Sequence, residues 1–147
     1  MDAIDRKILR ELVRDGRISN VDLADRVGLS PSACSRRAQE LERSGVIRGY
    51  RAVLSPAATG GGLTAYVTVG LSKHTKDEQL VFEQAMADAS VVRECHNVTG
   101  AFEYILRVEV GDLPSYKHFH GEVLGALPQV STITTYMVMD SPKDERA

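Results

Sequence analysis

The chain has 147 residues, 43 % of them hydrophobic, and a formal net charge of −2. That length accommodates one or two compact domains with substantial cores, and no composition-biased tract points to disorder beyond residues 141–147. No apolar run reaches membrane-spanning length, and the opening Met-Asp-Ala-Ile-Asp lacks the basic and apolar regions of a signal peptide, so a cytoplasmic protein is expected.

Ile4, Ile8, Leu9, Leu12 and Val13 make one apolar stripe, which predicts a helix over about residues 2–15 with Gly16 as its C-terminal cap. A second, short helix is predicted from Ser19, whose hydroxyl suits the N-cap, with Asp22 three residues on and a stop near Gly28. Its buried face is read as Val21, Leu23, Ala24 and Val27. A third helix follows at once, with Ser30 as N-cap, Pro31 as first helical residue and Gly45 at its end. Two capped helices around a glycine turn form a helix-turn-helix, which makes sequence-specific binding of double-stranded DNA the leading reading. An ordinary helical hairpin with a solvated face is the alternative.

Cys34, Ala38 and Leu41 define the packed side of the third helix, so Ser32, Ser35, Arg36, Gln39 and Arg43 face outward. A guanidinium can fork onto the guanine edge, an amide onto adenine, and hydroxyls onto phosphate or either base. Ser32, Ser35, Arg36 and Gln39 lie near the helix start and are the base-reading candidates, with Ser30 at the cap and Arg43 a turn later at phosphate. Arg37 borders the buried side, where a DNA contact and a stem-packing arginine both remain open.

After Gly45 the strand formers Val46, Ile47, Tyr50, Val53 and Leu54, interrupted by Arg48 and Arg51, predict an extended segment, read as a connecting strand rather than a wing. The expected organisation is a DNA-binding domain with its connecting strand over residues 1–54, a linker at 55–62 marked by Pro56 and Gly60-Gly61-Gly62, a second domain at 63–140 and a tail at 141–147. In the second domain an alternating strand at 63–71 is followed by a helix at about 76–89 with Leu80, Val81, Phe82, Ala85, Met86 and Ala89 as its stripe. Strands at 91–99 and 104–110 come next, then a helix carrying Leu113, Tyr116, His120, Val123, Leu124 and Leu127, and a last strand at 130–139. Strand, helix, strand, strand, helix, strand is the order of a ferredoxin-like fold, whose helices cover one sheet face. Ile133, Tyr136, Met137, Val138 and Met139 put bulky residues at both parities of the last strand, which predicts self-association over the other face.

Residues 1–54 hold eleven Lys or Arg against eight Asp or Glu, a net +3, whereas residues 55–147 hold seven against twelve, a net −5. The basic charge therefore travels with the helix-turn-helix, and its modest size suggests several copies binding together. Cys34 and Cys95 lie in different predicted domains and are read as small buried apolar residues rather than a disulfide. The histidines, His74, His96, His118 and His120, form no metal-ligand spacing. No nucleophile with a base, paired acid and base, or P-loop is legible, so neither an enzyme nor a cofactor is expected.

These residues together resemble the Lrp/AsnC, or feast/famine, family of transcription regulators. The likeness runs through Ile4-Asp5-Arg6-Lys7-Ile8-Leu9, Asp15-Gly16-Arg17, Leu29-Ser30-Pro31-Ser32 with Cys34, and Leu41-Glu42-Arg43-Ser44-Gly45-Val46-Ile47. It continues through Glu94-Cys95-His96-Asn97-Val98-Thr99-Gly100, Phe102-Glu103-Tyr104, Leu127-Pro128 and Thr135-Tyr136-Met137-Val138-Met139. The resemblance implies an α+β chain in which an N-terminal winged-type helix-turn-helix domain is joined by a strand linker to a ferredoxin-like βαββαβ effector-binding domain. It further implies homodimers formed through the sheets, assembly to a higher even oligomer such as an octamer, an imperfectly palindromic operator and association with the nucleoid. An amino acid or related metabolite is the implied effector. By family position its site involves Thr99, Gly100, Ala101, Phe102, Glu103 and Tyr104 with Thr132, Ile133 and Thr135, Glu103 taking the ammonium and amides around Gly100 the carboxylate. A plain hairpin loop with an exposed glutamate is the alternative for this turn. Glu103 stands where the family often has aspartate, and Ile133 where many members have threonine, which favours an apolar or aromatic amino acid over a basic one. An architectural DNA-wrapping protein without effector is the second functional reading.

Overall fold

The computed structural model describes residues 1–59 and 61–144 and divides into two units, Met1–Ala52 and Val53–Ala147. Gly60 of the expected linker and residues 145–147 of the expected tail lie outside the described residues.

The first unit is three helices, α1 (Ala3–Arg14), α2 (Asn20–Val27) and α3 (Pro31–Arg43). Asp2 and Asp5 start α1 by a reciprocal capping box, each carboxylate accepting from the other's backbone amide at 2.9 and 2.8 Å. α1 ends at an extended Asp15 rather than at the expected Gly16 cap. A Cβ on Gly16 would make only ordinary contact with the Tyr50 ring, at 3.4 Å. Ser19 caps α2, accepting from the Asp22 amide at 3.1 Å and donating to its carboxylate at 2.7 Å. The chain leaves α2 through Gly28 at φ 77°, a left-handed conformation that suits glycine and re-aims the backbone into Ser30, the cap of α3.

Ile8, Leu23, Ala24, Val27, Cys34 and Leu41 form the core of this unit. Val13 and Val21, predicted to be buried, are 86 % and 63 % exposed, because three short helices enclose a narrower seam than either stripe offers. The segment after Gly45 makes no strand: among the described residues it has no partner ladder to take its backbone hydrogen bonds, and Val46, Tyr50, Val53 and Leu54 are exposed. At 55–62 the expected irregular break contains one 3₁₀ turn, Pro56–Thr59.

The second unit runs β1 (Leu63–Leu71), α4 (Lys76–Asp88), β2 (Val92–Asn97), β3 (Tyr104–Val110), α5 (Leu113–His118) and β4 (Val130–Met137). All neighbours are antiparallel in the order β2-β3-β1-β4, the ferredoxin-like arrangement. Ala65, Val67 and Val69 of β1 and Tyr104, Leu106, Val108 and Val110 of β3 meet Phe82, Met86, Tyr116, Phe119 and Leu124 from the helices, so one sheet face carries the core. A π-helical segment, Phe119–Leu124, follows α5. Its wider turn buries Phe119 and Leu124, five residues apart, and leaves the predicted core residue His120 exposed. Leu80, Val81 and Leu113, also predicted in buried stripes, are 51 %, 55 % and 61 % exposed.

The other sheet face is open. Tyr66 stands opposite Arg107 and Tyr136 in the ladder, and Thr68 opposite Ile105 and Thr134. Tyr136 is 57 % exposed there. Arg107 pairs with Glu94 at 3.0 Å and also with Glu109, which pairs with Arg93 at 3.1 Å. Among the described residues no helix is long and apolar enough to cross a membrane.

Candidate DNA-binding and effector sites

The third helix is held by polar ties to both others. Asn20 donates to the Pro31 carbonyl at 2.8 Å, which joins the starts of α2 and α3. Arg37 donates to Asp2 at 2.7 Å and Asp5 at 2.8 Å, while Arg26 of α2 reaches Glu11 of α1 at 2.9 Å. The Asp2 carboxyl is lowered to about 2, first by the Asp5 amide and then by the Arg37 guanidinium. Arg37, included among the DNA-contact candidates, thus has its guanidinium committed to the α1 carboxylates; its place beside the buried seam aims it across the helix packing.

Away from that seam, Ser32, Arg36, Gln39 and Arg43 are exposed and Ser35 is half-buried. Ser30 is engaged as cap, its hydroxyl accepting from the Ala33 amide at 3.3 Å and lying 3.3 Å from the Ser32 hydroxyl. Gln39 is 3.5 Å from the Ser35 hydroxyl, a weak tie that a base edge can replace. Arg43 forks onto Glu40 at 2.8 and 2.6 Å, which lowers the Glu40 carboxyl and raises the Arg43 guanidinium. Among the described residues Arg36 has no ion pair, so its fork is available to a ligand. Cys34 is buried on the opposite side, where desolvation raises its thiol.

The predicted effector residues divide between the two sheet faces. Tyr104 is fully buried on the helix-covered face and donates to Glu83 of α4 at 2.6 Å, burial and that carboxylate together raising its phenol. Thr135 shares a hydrogen bond with Tyr116 of α5, and Ile133 packs against the same core. Strand alternation therefore removes Tyr104, Ile133 and Thr135 from any ligand held on the open face. The inference about ligand polarity drawn from Ile133 goes with them.

Glu103 and Thr132 do come together. The β1–β4 register shifts between Gly70 and Leu71, where Thr132 faces Gly70 and Val130 faces Leu71. Ser131, the residue skipped, donates to the Gly70 carbonyl at 3.0 Å. The Leu71 amide, past the last β1–β3 pair of Val69 with Tyr104, donates to Glu103 Oε2 at 2.6 Å, so the carboxylate satisfies a backbone group at the end of that ladder. A Cβ on Gly70 would lie 2.2 Å from Thr132 Oγ1 and 3.6 Å from Glu103 Oε2, so Thr132 occupies the room left by the missing side chain. His74 Nδ1 stands 3.1 Å from the other oxygen of Glu103.

The loop leading into β3 keeps Thr99, Gly100 and Ala101 exposed and Phe102 half-buried, with Gly100 at φ 125°. Its base is closed by Val98 and Asn97, which donate to the Glu103 carbonyl at 2.9 and 3.2 Å. Two clefts, of about 740 Å³ at Tyr66, Val138 and residues 140–144 and of about 340 Å³ between α4 and β2, contain none of the predicted effector residues. Cys95 lines the smaller, its thiol pushed up to about 11 by burial and then by Glu83. Gly70, Ser131 and His74 were not singled out from the sequence, although an isolated glycine within a strand pattern is a signal for a bulge or a close approach. No group of three or more potential metal ligands occurs among the described residues.

Residues 1–48 match a family model described as winged helix-turn-helix DNA-binding, and residues 64–147 match one described as the Lrp/AsnC ligand binding domain. The chain is 43 % identical to the leucine-responsive regulatory proteins of Klebsiella pneumoniae and Escherichia coli K12 over 143 residues, 97 % of this chain and 87 % of each relative. A transcriptional regulator from Neisseria meningitidis, solved as a complex with L-methionine, is similar with a TM-score of 0.93 at 34 % identity, covering 98 % of this chain and 93 % of that one. An AsnC family transcriptional regulator from Agrobacterium tumefaciens gives 0.91 at 32 %, covering 98 % and 94 %. With both halves matched in order and relatives aligned over nearly its whole length, this chain belongs to the Lrp/AsnC family of DNA-binding transcription regulators that respond to amino acids, a family of regulators and not of enzymes.

Proposed function

We propose that α3 reads operator bases through Ser32, Ser35, Arg36 and Gln39, with Ser30 and Arg43 at phosphate, and that an apolar amino acid bound at Glu103 controls how the protein assembles on DNA. The observation that carries the reading is Arg36: an exposed fork without an ion pair among the described residues, on a helix that Arg37 and Asn20 tie to the rest of its unit. Arg43 exchanges its exposed Glu40 partner for a phosphate at small cost, because surface pairs of this kind contribute little.

On the second unit, the effector's ammonium takes Glu103 and its carboxylate the exposed backbone of the 99–102 loop, beside Thr132. The leucine-responsive relatives and the L-methionine complex support an apolar side chain. The protein works as a homodimer closed through the open sheet face around Tyr66 and Tyr136, assembled further into an even ring, in the cytoplasm and on the nucleoid. Twofold symmetry makes the operator imperfectly palindromic. The effector acts by favouring one assembly over another.

The test is a thermal-shift screen of the purified protein against the twenty amino acids, each hit followed by mobility assays on the protein's own promoter. A leucine or methionine hit that changes the DNA complex supports the reading. Firm DNA binding indifferent to every amino acid overturns the effector half and leaves an architectural protein.

A further inference from the structure

The Glu103 carboxylate is already in use on both oxygens. Oε2 is fixed by a backbone amide, that of Leu71 at 2.6 Å, which lies two residues beyond the last β1–β3 pair, Val69 with Tyr104. Oε1 faces the His74 imidazole at 3.1 Å. These two partners differ in how readily they leave. The Leu71 amide is fixed in the backbone of β1, whereas the His74 side chain is 69 % exposed and loses only a surface contact when it rotates away. The Glu103 side chain is 18 % exposed, so the carboxylate is mostly covered, and the exposed His74 ring stands at one of its oxygens.

The backbone on either side of His74 is anchored independently of this contact. Ser72 is bound to the Gln129 carbonyl through its amide at 2.8 Å and its hydroxyl at 3.2 Å, and Thr75 caps α4 by accepting from Glu78 at 3.4 Å. A rotamer change at His74 therefore exchanges the partner of Glu103 without moving β1 or α4.

We propose that His74 is a built-in competitor for the effector site: its imidazole donates to the Glu103 oxygen that an amino acid's ammonium takes, so binding requires His74 to swing out. This rests on the assignment of Glu103 as ammonium partner and adds a residue that sets the effector's threshold. Competition by a resident donor lowers apparent affinity by the fraction of time the site is occupied, which tunes the regulator to a higher effector concentration without altering contacts to the ligand.

The experiment is calorimetry of L-leucine and L-methionine with the full-length protein, its His74→Ala variant and its Glu103→Gln variant, in which the glutamine carbonyl still accepts from Leu71. H74A is expected to bind about three- to tenfold more tightly, the net scale of one ordinary hydrogen bond, and E103Q at least about tenfold more weakly. In parallel, the imidazole resonance of His74 in ¹³C-histidine-labelled protein is expected to move on effector saturation, and to move toward the same position in effector-free E103Q. Unchanged or weaker binding by H74A, or a His74 resonance indifferent to saturating effector, overturns the competition while leaving the effector site intact. Binding by E103Q equal to wild type, or no heat with either amino acid in the wild type, overturns the Glu103 assignment itself.

Discussion

Arg36 and Arg37 are adjacent in sequence and separated in surroundings by one step of a helix. Arg36 faces out without an internal ion pair among the described residues, while Arg37 is bound by two carboxylates of the α1 capping box. Arg36→Ala is expected to weaken operator binding by about 1–3 kcal/mol in anisotropy titrations and to leave the urea midpoint unchanged. Arg37→Ala is expected to lower that midpoint first. The same cluster sets an acid response. Because the folded state holds Asp2 down to about 2, its contribution is present above the ordinary aspartate range and is lost as pH falls toward about 2. Asp2→Asn should therefore flatten the stability of the first unit over that acid interval, as followed by circular dichroism. Gly70 is the sharpest steric constraint on the effector side. Gly70→Ala places a Cβ 2.2 Å from Thr132 Oγ1, which should abolish effector binding in calorimetry and destabilise by about 1–3 kcal/mol, with Thr132→Ala restoring stability.

At the scale of elements, caps were legible residue by residue because a cap depends only on its own few neighbours. Ser19, Gly28, Ser30 and Pro31 all hold their expected places. Ser19→Ala is expected to cost about 1 kcal/mol in chemical denaturation, the usual value of a lost hydroxyl cap. Helix faces were less legible. Val13, Val21, Leu80, Val81 and Leu113 fit apolar stripes yet lie exposed, since a stripe says which side can be buried and only the neighbouring element decides how much of it is. The π-helical segment after α5 shows the same limit: one wider turn exchanges His120 for Phe119 at the core, and periodicity assumes a constant turn. The stretch 46–54 has strand-forming residues but no ladder, because a strand is a property of two segments and the described residues supply no second one.

For the whole molecule, the open sheet face is where association is tested. Tyr136→Glu puts a charge beside Tyr66 in the ladder and is expected to shift the protein from oligomer to monomer in sedimentation velocity, with the second unit's fold retained. Operator affinity should fall in the same variant although α3 is untouched, because modest contacts per helix gain strength by being linked. Unaltered sedimentation would overturn the proposed association through this face.

Periodicity, caps and the order of strands and helices carried the helix-turn-helix, the ferredoxin-like sheet and the outer face of α3, because each depends on short-range pattern along one segment. The proposed effector site was legible only as a stretch of chain. Which of its residues share a face depended on the pairing of β1 with β4 and on the shift at Gly70, contacts between segments about sixty residues apart that leave no local periodic trace. Tertiary structure therefore moved Tyr104, Ile133 and Thr135 to the core side and brought Gly70, Ser131 and His74 to Glu103 and Thr132, since side-chain alternation assigns faces only after register is set.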